Sequence, residues 1–412
     1  MAEPKVRFKR DDGSSYPEWV AGKLGDITDK VDRKASIGST APIMMVSQGN
    51  GFIYQADKYS RENAGQSLKN YTLLRRGEFA YNHGASKAKP YGVAYCLKEE
   101  QEARVPFVYH TFSITKGVNS YWHEALNTSK MDRKLKRLVS SGVRMDGLLN
   151  INYDAYIDVD ISIPCEEEQQ KIANFLSSVD EVIAASEHEV ANLETQKKAV
   201  MKKIFSQEVR FKKEDGTDFP EWEEKELIDL FPYIRNGFVG TITDFFTDKE
   251  NGIRYLQGTN IHDGLISDNV EFYVTKEFHQ KHINNELKED DIIMVQSGHV
   301  GDCAVVGKEY AGSNCHALII MSNAGECCSD FYVAYFHSPK GLKEIAIKAT
   351  GNTVKHILAS VMQEFRVPYP CLEEQRLIAD FLSDLDEAIV ATKKESELWK
   401  EMKKGLLQQM FV

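Results

Sequence analysis

Apolar residues recur at helical spacing in two long stretches of the sequence, residues 164–205 and 370–411. In the first stretch they alternate steps of four and three with two places skipped, and the second keeps the same register. This heptad stripe predicts two long helices that form a coiled-coil seam. The seam positions are Ile172, Leu176, Val179, Ile183, Val190, Leu193, Val200 and Ile204, then Ile378, Leu382, Leu385, Ile389, Trp399, Leu406 and Met410.

The two stretches are copies of each other. Shifted by 206 residues they share 18 of 42 positions, and they begin with PCEEEQQKIANFL and PCLEEQRLIADFL. A second phrase is also repeated, because VRFKRDDGSSYPEWV at 6–20 and VRFKKEDGTDFPEWE at 209–223 agree at nine of fifteen positions. The residues between phrase and helix do not visibly align. The chain therefore consists of two units, in which a duplicated frame holds two different inserts.

Antiparallel pairing of the two helices gives this frame a definite geometry. The inserts then lie at opposite ends of a rod, related by a pseudo-two-fold axis, and about 38 helical residues span about 57 Å at ~1.5 Å each. The chain end at Met410–Val412 is then expected beside Val6–Phe8, as residues 204–206 lead along the chain to 209–211. The alternative is that each helix packs as an amphipathic element on an unrelated domain core.

Composition narrows the class of protein. The chain has 412 residues, 42% of them apolar, a net charge of −11, and no apolar run of membrane-spanning length. Residues 21–163 carry 20 Lys and Arg against 15 Asp and Glu, whereas residues 224–369 carry 13 against 20. Charge therefore favours the first insert as a polyanion binder. The seven cysteines form no CxxC pair, which favours a reducing cytoplasm, and buried thiols rather than a metal site around Cys303–Cys328.

Recognisable catalytic motifs are missing from the sequence. It contains no GxxxxGK[ST] phosphate loop, no HExxH and no GxSxG, and no GxGxxG follows a predicted strand. We therefore expect a chain that is not an enzyme and holds no metal or cofactor. A two-domain enzyme with an unfamiliar site is an alternative class, as is a two-headed coiled-coil scaffold or regulatory protein without DNA sequence readout.

The order of phrase, insert and long helix, given twice, resembles the specificity (S) subunit of type I restriction–modification systems. The most specific markers are PCEEEQQKIANFL and PCLEEQRLIADFL, and the similarity covers the whole chain. YNHGASKAKPYGVAY and GVRMDGLLNIN in the first insert resemble one class of target-recognition domain. IRYLQGTNI, QSGHVGDCAVV and GNTVKHI in the second insert resemble another class.

The resemblance implies a non-catalytic subunit that binds double-stranded DNA. Each insert would read one half of a bipartite, asymmetric site, and the helices would hold the halves apart. Two methyltransferase subunits carrying S-adenosylmethionine would methylate adenine, and a motor-nuclease subunit using ATP and Mg would cleave. The implied fold is α+β: two α/β target-recognition domains (residues 1–163 and 206–369) separated by two long antiparallel helices (164–205 and 370–412) that form a coiled coil with internal pseudo-two-fold symmetry.

Candidate DNA-contacting residues are those whose side chains read base edges or hold phosphates and that lie near glycine-shaped turns. In the first insert they are Gln48, Asn50, Asn82, His83, Ser86, Lys87, Lys89, Tyr91 and Arg144. In the second they are Gln257, Thr259, Asn260, Gln296, Ser297, His299, Thr353, Lys355 and His356. Beside the seam lie Phe175, Phe205, Phe381 and Phe411, which are candidates for docking the methyltransferase subunits or for core contacts with the inserts.

Overall fold

The protein folds into two compact units, one made of Met1–Ser186 with Glu395–Val412 and the other of Glu187–Lys394. The computed structural model describes residues 3–36, 38–59, 65–87, 89–139, 149–351 and 355–412. Each unit contains one insert and about half of each long helix. The predicted division into four sequence segments stays a prediction.

Both predicted long helices are present, at Glu166–Phe205 and Leu372–Met410. A proline lies two residues before each helix, and acidic residues occupy both first turns, where the positive end of the helix dipole stabilises them. Lys202 and Lys203 lie in the last turn of the first helix, where the opposite sign applies. Local sequence therefore defines where these helices begin and end.

Within each unit the two helix segments pack antiparallel. In the first unit Ile172 and Leu176 share a core with Leu406 and Met410, so positions early in one helix meet positions late in the other. In the second unit Ile378 and Leu382 share a core with Val200 and Ile204. The start of each long helix therefore packs against the end of the other long helix within the same unit.

The lysines at the skipped seam positions make ion pairs. Lys403 Nζ lies 2.8 Å from the Asp180 carboxylate in the first unit, and Lys197 Nζ binds Asp386 in the second. Asp180 and Asp386 are related by the 206-residue shift, as are Lys197 and Lys403. The same contact therefore occurs once in each unit, with the roles of the two helices exchanged.

The insert of the first unit is built on a four-stranded antiparallel sheet in the order Thr28–Lys30, His110–Ile114, Phe79–Asn82 and Val93–Cys96. Its remaining strands form the pairs Met44–Ser47 with Gly51–Tyr54, Thr72–Arg75 with Glu102–Val105, and Val20–Lys23 with Asp160–Ile163. Its short helices are Gln55–Lys58, Asn119–Ala125, Ser129–Lys136 and Tyr153–Ile157.

The insert of the second unit contains two four-stranded sheets. One has the order Tyr233–Asn236, Leu318–Ser322, Ile292–Val295 and Cys303–Val305, and the other Phe246–Thr247, Tyr273–Thr275, Gly252–Leu256 and Asn314–Cys315. Two further strand pairs are Ile261–His262 with Leu265–Ile266, and Glu223–Glu226 with Arg366–Tyr369. Its helices are Leu227–Leu230, Lys276–Lys281, Ser329–His337, Pro339–Lys348 and Ala359–Gln363.

The chain end closes onto the first repeated phrase, as the sequence predicts. The backbone amides of Lys5 and Val6 donate to Gln409 O at 2.8 and 3.2 Å. In the second unit the amides of Glu208 and Val209 donate in the same way to Lys203 O at 2.9 and 3.3 Å. The hydrogen-bonded junction between the chain end and Lys5–Val6 in the first unit thus reproduces the continuous chain between Lys203 and Val209 in the second unit.

Among the helices in the described part of the chain, none has both the length and the apolar character needed to cross a membrane.

Candidate nucleic-acid interface

A buried glutamate at the start of each long helix fixes the repeated phrase. Glu168 is fully buried and accepts hydrogen bonds from Arg7 Nε (3.0 Å), Arg7 Nη2 (2.9 Å) and Trp19 Nε1 (2.9 Å). Arg7 Nη2 also donates to Pro17 O at 2.7 Å, so the guanidinium closes the phrase on itself. These bonds compensate the carboxylate for the loss of water.

The second unit repeats this clamp with related residues. Glu374 is fully buried and accepts from Arg210 Nε (3.3 Å), Arg210 Nη2 (3.0 Å) and Trp222 Nε1 (2.9 Å). The hydrogen bond to the carboxylate is the main cause that raises the pKa of both arginines, so both are cationic. No chemistry is apparent in this phrase from its sequence alone, and the structure shows that it anchors the insert to the helix.

The glutamine that follows each glutamate holds the insert from the other side. Gln169 Nε2 donates to Pro164 O at 2.8 Å, and its Oε1 accepts from Val118 N at 2.9 Å, just ahead of the helix Asn119–Ala125. Gln375 repeats both contacts, with Pro370 O (2.8 Å) and Cys328 N (2.9 Å). The Glu-Gln pair in PCEEEQ and PCLEEQ therefore fixes the orientation of each insert on its helix.

In the first unit, the two predicted loops at 46–51 and 82–92 lie side by side. Gln48 Nε2 donates to Gly84 O at 2.6 Å, and Asn82 Nδ2 donates to Val46 O at 2.9 Å. Asn50, Ser86 and Lys87 are exposed on these loops. The loops therefore form one surface on which these three side chains are accessible to a ligand.

Four other candidates in this insert carry structural contacts. His83 is buried, and both ring nitrogens lie 2.9 Å from backbone carbonyls, those of Leu149 and Val108, so we correct its assignment from DNA reader to core residue. Lys89 Nζ donates to Asn127 O at 3.0 Å. Tyr91 packs half-buried against the core, and the amide of Asn82 is engaged as described above. Arg144 lies outside the described residues.

In the second unit, three predicted segments that are far apart in sequence converge. Ser297 and His356 form a backbone bridge, and Gly298 N donates to Lys355 O at 3.3 Å. His299 Nε2 lies 3.1 Å from Gly258 O, which brings in the segment 257–260. Gln257, Gln296 and Ser297 are half-buried, whereas Thr259, His299, Lys355 and His356 are exposed. These loops form one face of the insert, which we call the second recognition face: residues 257–260, 296–299 and 355–356.

Asn260 belongs to the scaffold of this face and does not lie on its surface. It is 2% exposed; its Nδ2 donates to Ser267 O (3.0 Å) and Val270 O (2.7 Å), and its Oδ1 accepts from Gln257 N (2.9 Å). With three backbone partners it cannot reach a base edge, so the prediction that Asn260 contacts DNA is wrong. Thr353 lies outside the described residues.

Glycines shape the turn between Ile292–Val295 and Cys303–Val305. Gly298 and Gly301 adopt φ of 90° and 93°, a region that favours glycine. At Gly301 a Cβ would also lie 3.0 Å from Ile345 Cγ2, because the helix Pro339–Lys348 packs against the turn. This confirms the prediction that these glycines shape the loop.

The helix Pro339–Lys348 makes the surroundings of the second recognition face basic, although the insert as a whole is acidic. Residues 338–356 contain four lysines and one acidic residue. All four, Lys340, Lys343, Lys348 and Lys355, are exposed, whereas Glu344 is half-buried and accepts a 2.6 Å hydrogen bond from Tyr335 Oη. The overall charge therefore hides a local cationic segment next to the loops.

The four phenylalanines beside the seam separate into two kinds. Phe205 and Phe411 are 2% and 3% exposed and pack in the cores of their units, which corrects their assignment to subunit docking because they offer no surface. Phe175 and Phe381 are 37% and 36% exposed. Each meets a phenylalanine of the repeated phrase edge-on, Phe8 at 5.4 Å and Phe211 at 5.6 Å between ring centroids.

The clustered cysteines of the second insert are packing residues. Cys303, Cys315 and Cys327 are buried free thiols. Burial raises the pKa of Cys315 and Cys327 to about 12, and it raises that of Cys303 as well. These three thiols are therefore part of the packing of the insert.

Comparison with known proteins agrees with this architecture. Residues 220–398 match the family model described as type I restriction modification DNA specificity domain. The chain is 26% identical over 293 residues to the type I restriction enzyme MjaVIII specificity subunit of Methanocaldococcus jannaschii. The aligned residues cover 66% of this chain and 66%, just under two thirds, of that relative.

Two solved structures share the fold over nearly their whole length. One comes from work on complex assembly and conformational transition of the type I R-M system (TM-score 0.59, 14% identity, 96% of this chain and 98% of that chain). The other is the type I restriction–modification S subunit of M. genitalium (TM-score 0.55, 13% identity, 100% and 99%). Together these matches confirm the resemblance and the fold class predicted from the sequence.

Proposed function

We propose, from its resemblance to the specificity subunits of type I restriction–modification systems, that this chain is such a subunit and reads a bipartite, asymmetric site in double-stranded DNA. Each insert would recognise one half-site, and bound partner subunits would methylate adenine or cleave. The observation that carries the proposal is the second recognition face. Three segments separated by up to about a hundred residues bring hydroxyl, amide and ammonium groups to one surface.

The residues of this face suit different parts of a DNA duplex. The Gln257 amide has the donor and acceptor pair that reads an adenine edge, and the Ser297 hydroxyl can donate or accept. Lys355 belongs to the cationic segment 338–356 and suits backbone phosphates. The buried Asn260 holds the backbone of Gln257 in place, so the reading groups are presented by a fixed loop.

The partners are inferred from the family and from the repeated frame. We propose that two methyltransferase subunits bind the chain and carry S-adenosylmethionine, and that a motor-nuclease subunit using ATP and Mg joins them. Phe175 and Phe381 are exposed at equivalent positions, each beside a phenylalanine of the repeated phrase. A surface that occurs once per unit suits two copies of the same partner.

Methylation mapping tests the reading role. The chain is co-expressed with its methyltransferase subunit, and methylated adenines are sequenced genome-wide for the wild type and for Gln257→Ala, Ser297→Ala and Lys355→Ala. Loss of a base contact costs about 1–3 kcal/mol of discrimination, so Gln257→Ala should relax the motif at one position of one half-site. Lys355→Ala should weaken binding to all DNA sequences. The dependence of the binding constant on salt concentration should fall by the amount expected for about one lost phosphate contact.

Lys308→Ala is the matched control, because Lys308 is exposed beyond the other end of the hairpin that carries residues 296–302. It should leave both the motif and the affinity unchanged. If all three recognition-face variants keep the wild-type motif and affinity, the assignment of this face is wrong. If co-expression yields no sequence-specific methylation while a complex of one chain with two partner subunits still forms, the scaffold reading is favoured instead.

A further inference from the structure

Two histidines and an aspartate converge next to the second recognition face. His262, His299 and Asp302 each offer one ligand atom, and these atoms all lie within 4.8 Å of one another. His262 ends the strand Ile261–His262, whereas His299 and Asp302 lie in the turn before Cys303–Val305. The two imidazole rings are stacked, with centroids 5.5 Å apart. Among the described residues this is the only group of three or more such side chains close enough to share an ion.

The hydrogen bonds of both histidines select one tautomer. His262 Nε2 lies 3.1 Å from Thr259 O, and His299 Nε2 lies 3.1 Å from Gly258 O. A backbone carbonyl can only accept, so each Nε2 carries the proton. In the neutral ring Nδ1 is then a free lone pair, and His262 Nδ1 faces Asp302 Oδ2 at 4.0 Å.

The carboxylate is held in the same way. His337 Nε2 lies 2.9 Å from Asp302 Oδ1, and His337 Nδ1 lies 2.9 Å from Val333 O at the end of the helix Ser329–His337. Asp302 Oδ1 is therefore engaged, and Oδ2 lies 4.0 Å from His262 Nδ1. In metal centres a ligand histidine usually donates its second ring nitrogen to a carbonyl, and a ligand carboxylate is usually held by a further side chain. Both kinds of supporting contact are present here.

We propose that His262 Nδ1, His299 Nδ1 and Asp302 Oδ2 bind one divalent transition-metal ion of the zinc type, with His337 as a positioning residue. Two imidazole nitrogens and one carboxylate favour zinc, cobalt or nickel over magnesium and calcium, which prefer oxygen ligands. Ligands about 2.1 Å from a tetrahedral ion lie about 3.4 Å apart, so His262 Nδ1 and Asp302 Oδ2, which are 4.0 Å apart, have to approach by about 0.6 Å. The side chain of His262 is 57% exposed and has room to move.

The ion would link two loops of the second recognition face, because His262 follows the 257–260 segment and His299 and Asp302 lie in the 296–302 turn. It also changes the role of His299. With Nε2 on Gly258 O and Nδ1 on the metal, neither ring nitrogen is free to contact DNA. This last consequence rests on the proposed function, whereas metal binding itself does not.

Metal binding is measured on the full-length chain, purified without a histidine tag and stripped with chelator. Cobalt(II) is titrated in while its d–d absorption is followed, zinc(II) is then added as competitor, and bound metal per chain is determined by elemental analysis. The wild type should bind one cobalt ion that zinc displaces, and zinc should raise the Tm. His262→Ala and Asp302→Asn should weaken binding at least about 100-fold, since each removes one of three protein ligands.

Two variants test the positioning role of His337, and one serves as the matched control. His337→Phe should weaken cobalt binding by about 10–100-fold, and His337→Gln, which keeps a donor toward Asp302, should recover part of it. His188→Ala removes an exposed histidine of the same unit outside the cluster and should bind like wild type.

The proposal is overturned if wild type and His262→Ala bind cobalt equally, or if the wild type binds none at about 100 μM. Circular dichroism verifies that each variant is folded, and exposed His262 is the substitution least able to disturb the fold. Because no DNA is present, failure here leaves the proposed function standing, and failure of DNA reading leaves this site standing.

Discussion

The buried clamp between the repeated phrase and the helix gives a sharp stability prediction. Glu168→Gln keeps the shape of the side chain but removes its charge and replaces one acceptor oxygen by an amide that donates. Glu168 is fully buried, and its carboxylate accepts three hydrogen bonds from Arg7 and Trp19. The variant therefore leaves the Arg7 guanidinium without its counter-ion. It also places the new amide NH2 group opposite an N–H donor of Arg7 or Trp19.

The size of the effect follows from these contacts. A hydrogen bond to a charged group contributes about 1.5–3 kcal/mol, and breaking a buried ion pair by removing one partner costs about 3–5 kcal/mol. The Arg7 side chain is 21% exposed, so water can partly hydrate the unpaired guanidinium and reduce this cost. We expect the free energy of unfolding of the first unit to fall by about 2–4 kcal/mol.

Urea unfolding followed by hydrogen-exchange mass spectrometry measures this effect in each unit separately, with peptides that cover residues 5–20 and 208–223. Glu374→Gln should cause a matching loss confined to the second unit. Glu167→Gln is the control, because the Glu167 side chain is 61% exposed and its partner Arg10 is 35% exposed, and it should leave both units unchanged. If Glu168→Gln protects residues 5–20 as well as Glu167→Gln does, the clamp contributes no stability and our reasoning is refuted.

Three further predictions concern pH, the scaffold of the recognition face and the seam. Burial lowers the pKa of His110 to about 4, so the folded state stays neutral while the unfolded chain binds a proton below about pH 6.5. His110 should therefore contribute a loss of stability of the first unit between pH 6.5 and 4, by up to about 1.4 kcal/mol per pH unit. Buried His123, whose pKa is lowered to about 3, adds a second loss, so His110→Gln should reduce but not abolish the fall of the urea midpoints measured at pH 7, 6 and 5. Asn260→Ala should lower the stability of the second unit by about 1–3 kcal/mol even without DNA, whereas an unchanged Tm would restore it as a DNA-contact candidate. Lys403→Met should destabilise more than Lys197→Met in urea, since it also leaves the largely buried Glu124 unpaired; equal losses would contradict this.

Regular patterns in the sequence predicted the frame correctly. The heptad stripe located both long helices, and the repeat located the junction at which Lys5 and Val6 bind Gln409. Lysines at skipped seam positions were visible in both copies, but their aspartate partners lie outside the stripe. Glycines and polar side chains located the loops of the second recognition face, because turn chemistry is local.

The roles of single polar residues were beyond reach of the sequence. His83 and Asn260 are residue types that can read DNA bases, yet both are buried and hydrogen-bonded to backbone groups. The group His262, His299 and Asp302 shows no ligand spacing, because its members come from separate segments and the metal-binding nitrogens are chosen by carbonyls of residues 258 and 259.

The sequence by itself thus determined the two helices, their shared register and the points where each insert joins the frame, since periodicity and repetition are written along the chain. Only the tertiary structure decided which polar groups are buried and which face a ligand. That depends on contacts such as Arg7 with Glu168, 161 residues apart, where desolvation makes a partner obligatory. The repeated phrase is the clearest case: its recurrence is a property of the sequence, and its role as an anchor arises where a buried carboxylate meets it.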